Sequence, residues 1–333
     1  MSDYLWDKSG EPDPEIGRLE GLLGRYGYQP TPPPAFPRRA ARIVPIFTWR
    51  KPLAVAAALV LVAGGVWIAT WRPREEWAVA RVEGAPRVAA RPITGDARLR
   101  AGEWLETDAT SRVKLAVGLI GELEVEPSSR LRLIRTRLTE HRIVLERGTI
   151  QALIWAPART FFVETPSAVA VDLGCKYVLT VDDAGAGLLR VIMGWVGFEH
   201  DGQESFIPEN ALCKTRPGIG LGTPYYEDAP TALRTALDQF DFFGRRAEPL
   251  AVVLAEARRR DALTLWHLLV RARVEDRGRV FDRMAELVPP PAGVTREGLL
   301  AGDRRMHELW WDALGLENTS WWRKWKRLLP PVK

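Results

Sequence analysis

The spacing of apolar positions changes character several times along this chain. In "DPEIGRLEGLLGRYGY" the apolar residues recur at helical intervals, and Ile16, Leu19, Leu22, Leu23 and Tyr26 fall on one stripe. Asp13 stands where a cap is needed, and Pro14 where a helix tolerates proline because the first turn has unpaired N–H groups anyway. "QPTPPPAFPRR" follows, a spacer whose prolines favour extended, semi-rigid backbone. Pro52 to Trp71, "PLAVAAALVLVAGGVWIATW", carries no charge at all. From about residue 77 to 217 the period drops to two: "RLRLIRTRL" and "GELEVEP" alternate, and "RTFFVETPSAVAVDLGCKYVLTVDD" is rich in β-branched and aromatic residues. Frequent glycines cut these runs into short strands, and "DDAGAG" at 182–187 has the composition of a hairpin tip. After "RPGIGLGTPYYEDAP" the helical period returns. It predicts helices over 229–242, 249–259, 262–272, 276–287, 296–314 and 319–329, with Asp261 and Thr295 as caps and "VPPPAG" at 288–293 as a breaker.

The expected fold is therefore mixed and multi-domain. A helical segment (1–28) and a Pro-rich, basic linker (29–51) precede a transmembrane helix (52–71). An all-β domain of many short strands (77–217) and an all-α C-terminal module (224–333) follow it. At 1.5 Å of rise per residue, about 20 helical residues match the roughly 30 Å hydrocarbon core of a bilayer. Trp49, Trp67 and Trp71 stand near its ends, where indole rings favour the interface. Ala78-Val79-Ala80 resembles a signal-peptidase site, but charged residues separate it from the apolar run. Some fifty residues also precede that run, so an uncleaved span is expected. Arg38, Arg39, Arg42, Arg50 and Lys51 before the span outnumber Arg72, Arg74 and Arg81 after it. The excess of nearby cations predicts a bacterial inner-membrane protein with a cytoplasmic N-terminus and everything after residue 71 in the periplasm.

Composition adds two constraints. A net charge of +5 over 333 residues is modest, and fits anionic lipid or acidic polymer at least as well as nucleic acid, which is not expected as a partner. The two cysteines, Cys175 and Cys213, fall in the part expected to be exported. There a disulfide and a pair of buried thiols are both admissible.

Catalytic signatures are missing. His141, His200, His267 and His307 are scattered, and "HELWW" lacks the second histidine of a zincin helix, leaving Glu308 as a surface charge. Gly218, Gly220 and Gly222 alternate in a Pro-flanked loop without the strand and helix of a dinucleotide site. No enzyme activity, cofactor or metal is expected. The tail "WWRKWKRLLPPVK" would place Trp321, Trp322 and Trp325 on one helix face and Arg323, Lys324, Lys326 and Arg327 on the other. Such a helix can lie in a membrane interface or pack on the helical module.

The β region and the span together resemble the FecR family of transmembrane regulators. The resemblance rests on five short motifs in order: Leu99 to Gly102, Leu145 to Ile150 ("LERGTI"), Val163 to Ala168 ("VETPSA"), Gly174 to Tyr177 ("GCKY") and Val191 to Val196 ("VIMGWV"). It covers about 140 residues and implies a periplasmic β domain on a single-span protein. In the family that domain relays a signal to a cytoplasmic sigma factor bound by the N-terminal part. Residues 13–26 are accordingly expected to contact a cytoplasmic regulator, and the β domain a periplasmic protein or polymer. The alternative is an envelope scaffold whose N-terminus only anchors it.

Overall fold

The computed structural model describes residues 13–27, 76–95 and 97–316. The span Pro52–Trp71, the linker before it and the tail Trp321–Arg327 lie outside the described residues. Among the described residues no helix is long and apolar enough to cross a membrane. The chain divides into two compact units, residues 1–69 and 70–333.

In the first unit, α1 (Pro14–Leu23) starts as its sequence predicts. Asp13 is extended, and its carboxylate accepts the Glu15 N–H at 2.9 Å, filling one of the orphan donors of the first turn. A 3₁₀ turn, Gly24–Tyr26, continues it.

The second unit pairs a large, mainly antiparallel β structure with C-terminal helices. One sheet runs in the order β4 (Ala97–Arg100), β1 (Glu76–Glu83), β6 (Arg112–Val117), β7 (Gly121–Val125), β9 (Glu140–Ile154), β12 (Lys176–Val181), β13 (Gly187–Met193) and β16 (Ala211–Arg216). The short strands β17 (Gly220–Leu221) and β18 (Tyr225–Tyr226) both pair with β16. The other sheet runs β3 (Arg91–Pro92), β2 (Arg87–Val88), β5 (Trp104–Glu106), β8 (Arg130–Arg137), β9, β10 (Phe161–Glu164), β11 (Val169–Asp172), β14 (Trp195–His200) and β15 (Gln203–Pro208). The β9–β10 pair is parallel. Alternate residues of both sheets, among them Leu99, Val113, Leu123, Leu131, Phe161 and Phe198, point into one core. The Asp182–Gly187 stretch is the β12–β13 turn, with the Asp182 carboxylate accepting the N–H groups of Ala184 and Ala186.

Strand β9 belongs to both sheets. Its first half pairs with β8 and β10, and its second half with β7 and β12. The inward positions change phase midway: His141, Ile143 and Leu145 are buried before the crossing, and Ile150, Ala152 and Ile154 after it. A one-residue slip normally turns every side chain to the wrong face. Here it is absorbed at Gly148, which has φ +96° and lies so close to Ser129 that a Cβ would overlap that residue. The glycine of "LERGTI" is thus where the chain passes from one sheet to the other.

The helices are α2 (Thr231–Phe242), α3 (Ala247–Glu256), α4 (Ala262–Arg271), α5 (Arg277–Leu287), α6 (Arg296–Leu300) and α7 (Arg304–Ala313). Two details correct the sequence expectation. The helix predicted over 296–314 is two helices, because Gly302 takes φ +84° and Asp303 caps a new start by accepting from Arg305 and Met306 N–H. Asp261 precedes α4 but does not cap it; its carboxylate turns back to the Arg258 N–H and guanidinium. Thr295 does cap α6, through the Gly298 N–H.

Gly148→Ala is expected to destabilise the second unit by about 3 kcal/mol or more, from the positive φ and the overlap with Ser129 together. Chemical denaturation monitored by tryptophan fluorescence measures it. Gly202→Ala, in open space at φ +76°, isolates the conformational part.

Candidate functional site

The stripe predicted on the N-terminal helix is exposed. Leu19, Leu22, Leu23 and Tyr26 are between 52% and 86% exposed, and Ile16 is half-buried. No residue of α1 is buried. A helix this short is marginal in water without a partner surface, and this one presents four large apolar side chains to solvent.

Cys175 and Cys213 do not form the disulfide that the sequence left open. Both are buried free thiols. Cys213 on β16 registers with Leu189 of β13, and Leu189 with Leu179 of β12, so Cys213 lies two strands across and four residues along from Cys175. That separation exceeds the Cα distance a disulfide can span. Each thiol instead donates to oxygen. Cys175 Sγ lies 2.7 Å from Asp172 Oδ2, and Cys213 Sγ lies 3.2 Å from the Gly222 carbonyl.

The carboxyl of Asp172, the last residue of β11, is buried and also accepts the Gly174 N–H at 2.7 Å. Burial raises its pKa to about 7, against the opposing pull of these two hydrogen bonds. Burial likewise pushes Cys175 well above the usual thiol range and Cys213 up to about 12. Thiols held this far above neutrality are poor nucleophiles, so the pair contributes packing and hydrogen bonding.

The most demanding polar site was not legible as a motif. It joins the helices to the β structure through α4, whose Thr264, His267 and Arg271 share one face at helical spacing and are all buried. Thr264 Oγ1 donates to the Pro224 carbonyl at 2.8 Å. His267 Nε2 accepts the Phe206 N–H at 3.1 Å, which leaves the ring proton on Nδ1 to donate to the Leu263 carbonyl at 2.9 Å. Arg271 donates to the carbonyls of Gly222 and Glu204 at 2.6 and 3.0 Å, and to the hydroxyls of Ser205 and Thr223 at 2.6 and 3.1 Å. Thr223 passes the contact on, donating through both its N–H and its hydroxyl to the Asp241 carboxylate on α2. Burial raises the Asp241 pKa and lowers that of Arg271, while the attraction between the two opposes both shifts. The one sequence signal was an Arg at the end of "ALTLWHLLVR", where polar residues stand three and four apart in an otherwise apolar helix.

An aromatic cluster reinforces the same junction. Trp311 of α7 packs on Trp195 of β14, Phe206 of β15 and Trp266 of α4, with ring centroids 4.6 to 5.8 Å apart. His307 stacks on Trp266 at 3.8 Å and bonds to its carbonyl through Nε2. The "HELWW" segment is thus part of the helix–sheet packing, with Trp310 and Trp311 fully buried. Among the described residues no group of three His, Cys, Asp or Glu side chains is placed to hold a metal. The candidate tail contacts Trp321, Trp322, Arg323, Lys324, Trp325, Lys326 and Arg327 lie outside the described residues.

No family model matches the chain, and no curated protein matches it. Two crystal structures of a candidate anti-sigma factor from Parabacteroides distasonis are similar to it, at 15% identity and a TM-score of 0.33. The match takes in 41% of this chain and spans 64% of the length of that one.

Two outcomes follow from the buried groups. Arg271→Met is expected to cost about 3–5 kcal/mol, because it strands several buried acceptors and the Asp241 charge; Arg271→Met/Asp241→Asn should recover part of this. Thermal denaturation of the four-member cycle measures it. Asp172 titrates near 3.8 when unfolded and about 7 when folded, so between those values the native state holds a proton that the unfolded state has lost. Its contribution to stability is complete below pH 4 and declines as pH rises to 7, by up to about 4 kcal/mol. Asp172→Asn should flatten that part of the stability–pH curve.

Proposed function

We propose that this chain is a single-pass inner-membrane signalling protein without enzymatic activity. The β structure and its docked helices lie in the periplasm, and α1 engages a cytoplasmic regulator of the sigma-factor class. The observation that carries this is the exposed apolar stripe of α1, capped by Asp13 and set apart from the uncharged Pro52–Trp71 stretch by a Pro-rich spacer. A tether alone has no use for four exposed large apolar side chains at helical spacing. A helix that docks in a groove needs them in that arrangement. The order of the five motifs supports the sigma-factor class of partner. The buried junction at Arg271 supports a periplasmic part that responds to its ligand as one body.

Affinity purification of the full-length chain from crosslinked membranes tests this. Leu19 and Leu22 are the expected anchors, at about 1–3 kcal/mol each. Leu19→Asp/Leu22→Asp should abolish recovery of a sigma factor and leave membrane insertion unchanged. If the double variant retains every partner of the wild type, the chain is an envelope scaffold and α1 has no signalling role.

A further inference from the structure

The second unit begins with a basic cleft at the strands that follow the apolar stretch most closely. β1 opens at Glu76, five residues after Trp71. Across the sheet from its first residues stands β4, with Arg98 level with Ala78 and Arg100 level with Glu76. Both guanidiniums reach back to the Glu76 carboxylate, at 3.4 and 3.5 Å, yet remain 60% and 70% exposed, whereas Glu76 is 7% exposed. One buried carboxylate therefore faces two solvent-directed cations. Glu103 accepts the Arg100 N–H and closes that end of the cleft. β3 and the residues after it to Gly95 line the same place, and β3 contributes Arg91, which has no ion-pair partner among the described residues. The result is a cleft of about 470 Å³ lined by Arg91, Arg98 and Arg100, with Val88 and Ile93 as its apolar part.

Covalent geometry fixes how far this cleft can be from the end of the apolar stretch. Five residues span at most about 17 Å even when fully extended. The headgroup layer occupies roughly 6 Å of that, and an arginine side chain covers about as much again. From Arg72 to Glu103 the chain carries seven arginines against five acidic residues, a net charge of +2.

Resting on the membrane-anchored reading above, we propose that Arg91, Arg98 and Arg100 hold the phosphate of an anionic phospholipid headgroup. The cleft would thereby fix the orientation of the β structure on the outer surface of the inner membrane. Planar guanidiniums suit phosphate oxygens, each offering a fork of donors, and Val88 and Ile93 suit the glycerol part. A headgroup needs no diffusion step, because the tether holds the cleft within its reach.

The experiment uses the full-length chain in nanodiscs of phosphatidylcholine, alone or with phosphatidylglycerol, carrying a nitroxide at Thr94→Cys on the exposed rim. Cys175 and Cys213 are buried and escape labelling. Collision with a lipid-attached nickel chelate reports contact with the bilayer. The expected result is contact that depends on phosphatidylglycerol. Arg91→Gln should reduce it about fivefold, and Arg91→Gln/Arg98→Gln/Arg100→Gln about a hundredfold, at roughly a factor of five per cation near an anionic surface. Arg98→Lys/Arg100→Lys keeps both charges beside Glu76 and should retain most of the contact, which separates charge loss from misfolding. Equal contact in both lipids, or contact unchanged in the triple variant, overturns the proposal. If inorganic phosphate in neutral discs immobilises the nitroxide as phosphatidylglycerol does, the cleft is a site for soluble phosphate and the lipid assignment falls. A chain that stays out of the discs overturns the anchor itself, and the cleft with it.

Discussion

A guanidinium sealed from water governs how the second unit holds together. Arg271 cannot lose its charge at any accessible pH, so burying it requires that each donor find an acceptor. Gly222, Glu204, Ser205 and Thr223 accept from its two terminal nitrogens, and all four lie on β15 or between β17 and β18. The helices can therefore dock on the β structure in one place only. A shift of α4 by one turn would strand the cation and take from the buried Asp241 carboxylate the positive charge that offsets its burial, leaving it the two Thr223 donors. Apolar contacts such as Trp311 against Trp195 and Phe206 contribute area, but area alone tolerates sliding, and a satisfied buried charge does not.

That constraint bears on the proposed signalling role. A two-part module whose interface is a large aromatic cluster crossed by a buried polar network behaves as one body, because opening it exposes the cluster and leaves the network unpaired. Under the proposed signalling role, a change that a ligand made at the sheets would be carried by rotation or translation of the whole unit. A headgroup contact at the Arg91–Arg98–Arg100 cleft would define the orientation from which such a motion starts. α1 has an exposed apolar stripe and no buried residue, and a helix this short gains stability from a surface that covers such a stripe.

The strand pattern was legible because one face of each strand is buried. Alternation in "RVKLAV" and "RLRLIRTR" follows directly from that geometry, as does the helical stripe of α1 with its Asp13 cap. Boundaries were less legible where a short local signal competed with a long periodic one. "AGD" at 301–303 ends one helix and starts another inside a continuous helical pattern, and the acceptors that Asp261 was expected to offer α4 went to Arg258, whose guanidinium offers a charged partner. Gly148 read as one turn glycine among many. Its role at the crossing between sheets depends on Ser129, nineteen residues away and unrelated by any local pattern.

By itself the sequence determined what each segment is: a capped amphipathic helix, an uncharged stretch long enough for a bilayer, many short alternating strands, and a run of helices. Those properties reside in periodicity and caps, which act over a few residues. Tertiary structure alone decided which residues meet. It kept Cys175 and Cys213 apart by two strands, buried Asp172 deeply enough to bring its pKa near neutrality, and brought Arg271 to Gly222 and Thr223 nearly fifty residues before it. The physical reason is that charge burial and the separation of the two cysteines depend on distances across the core. Strand order and register set those distances, and no window of sequence contains them.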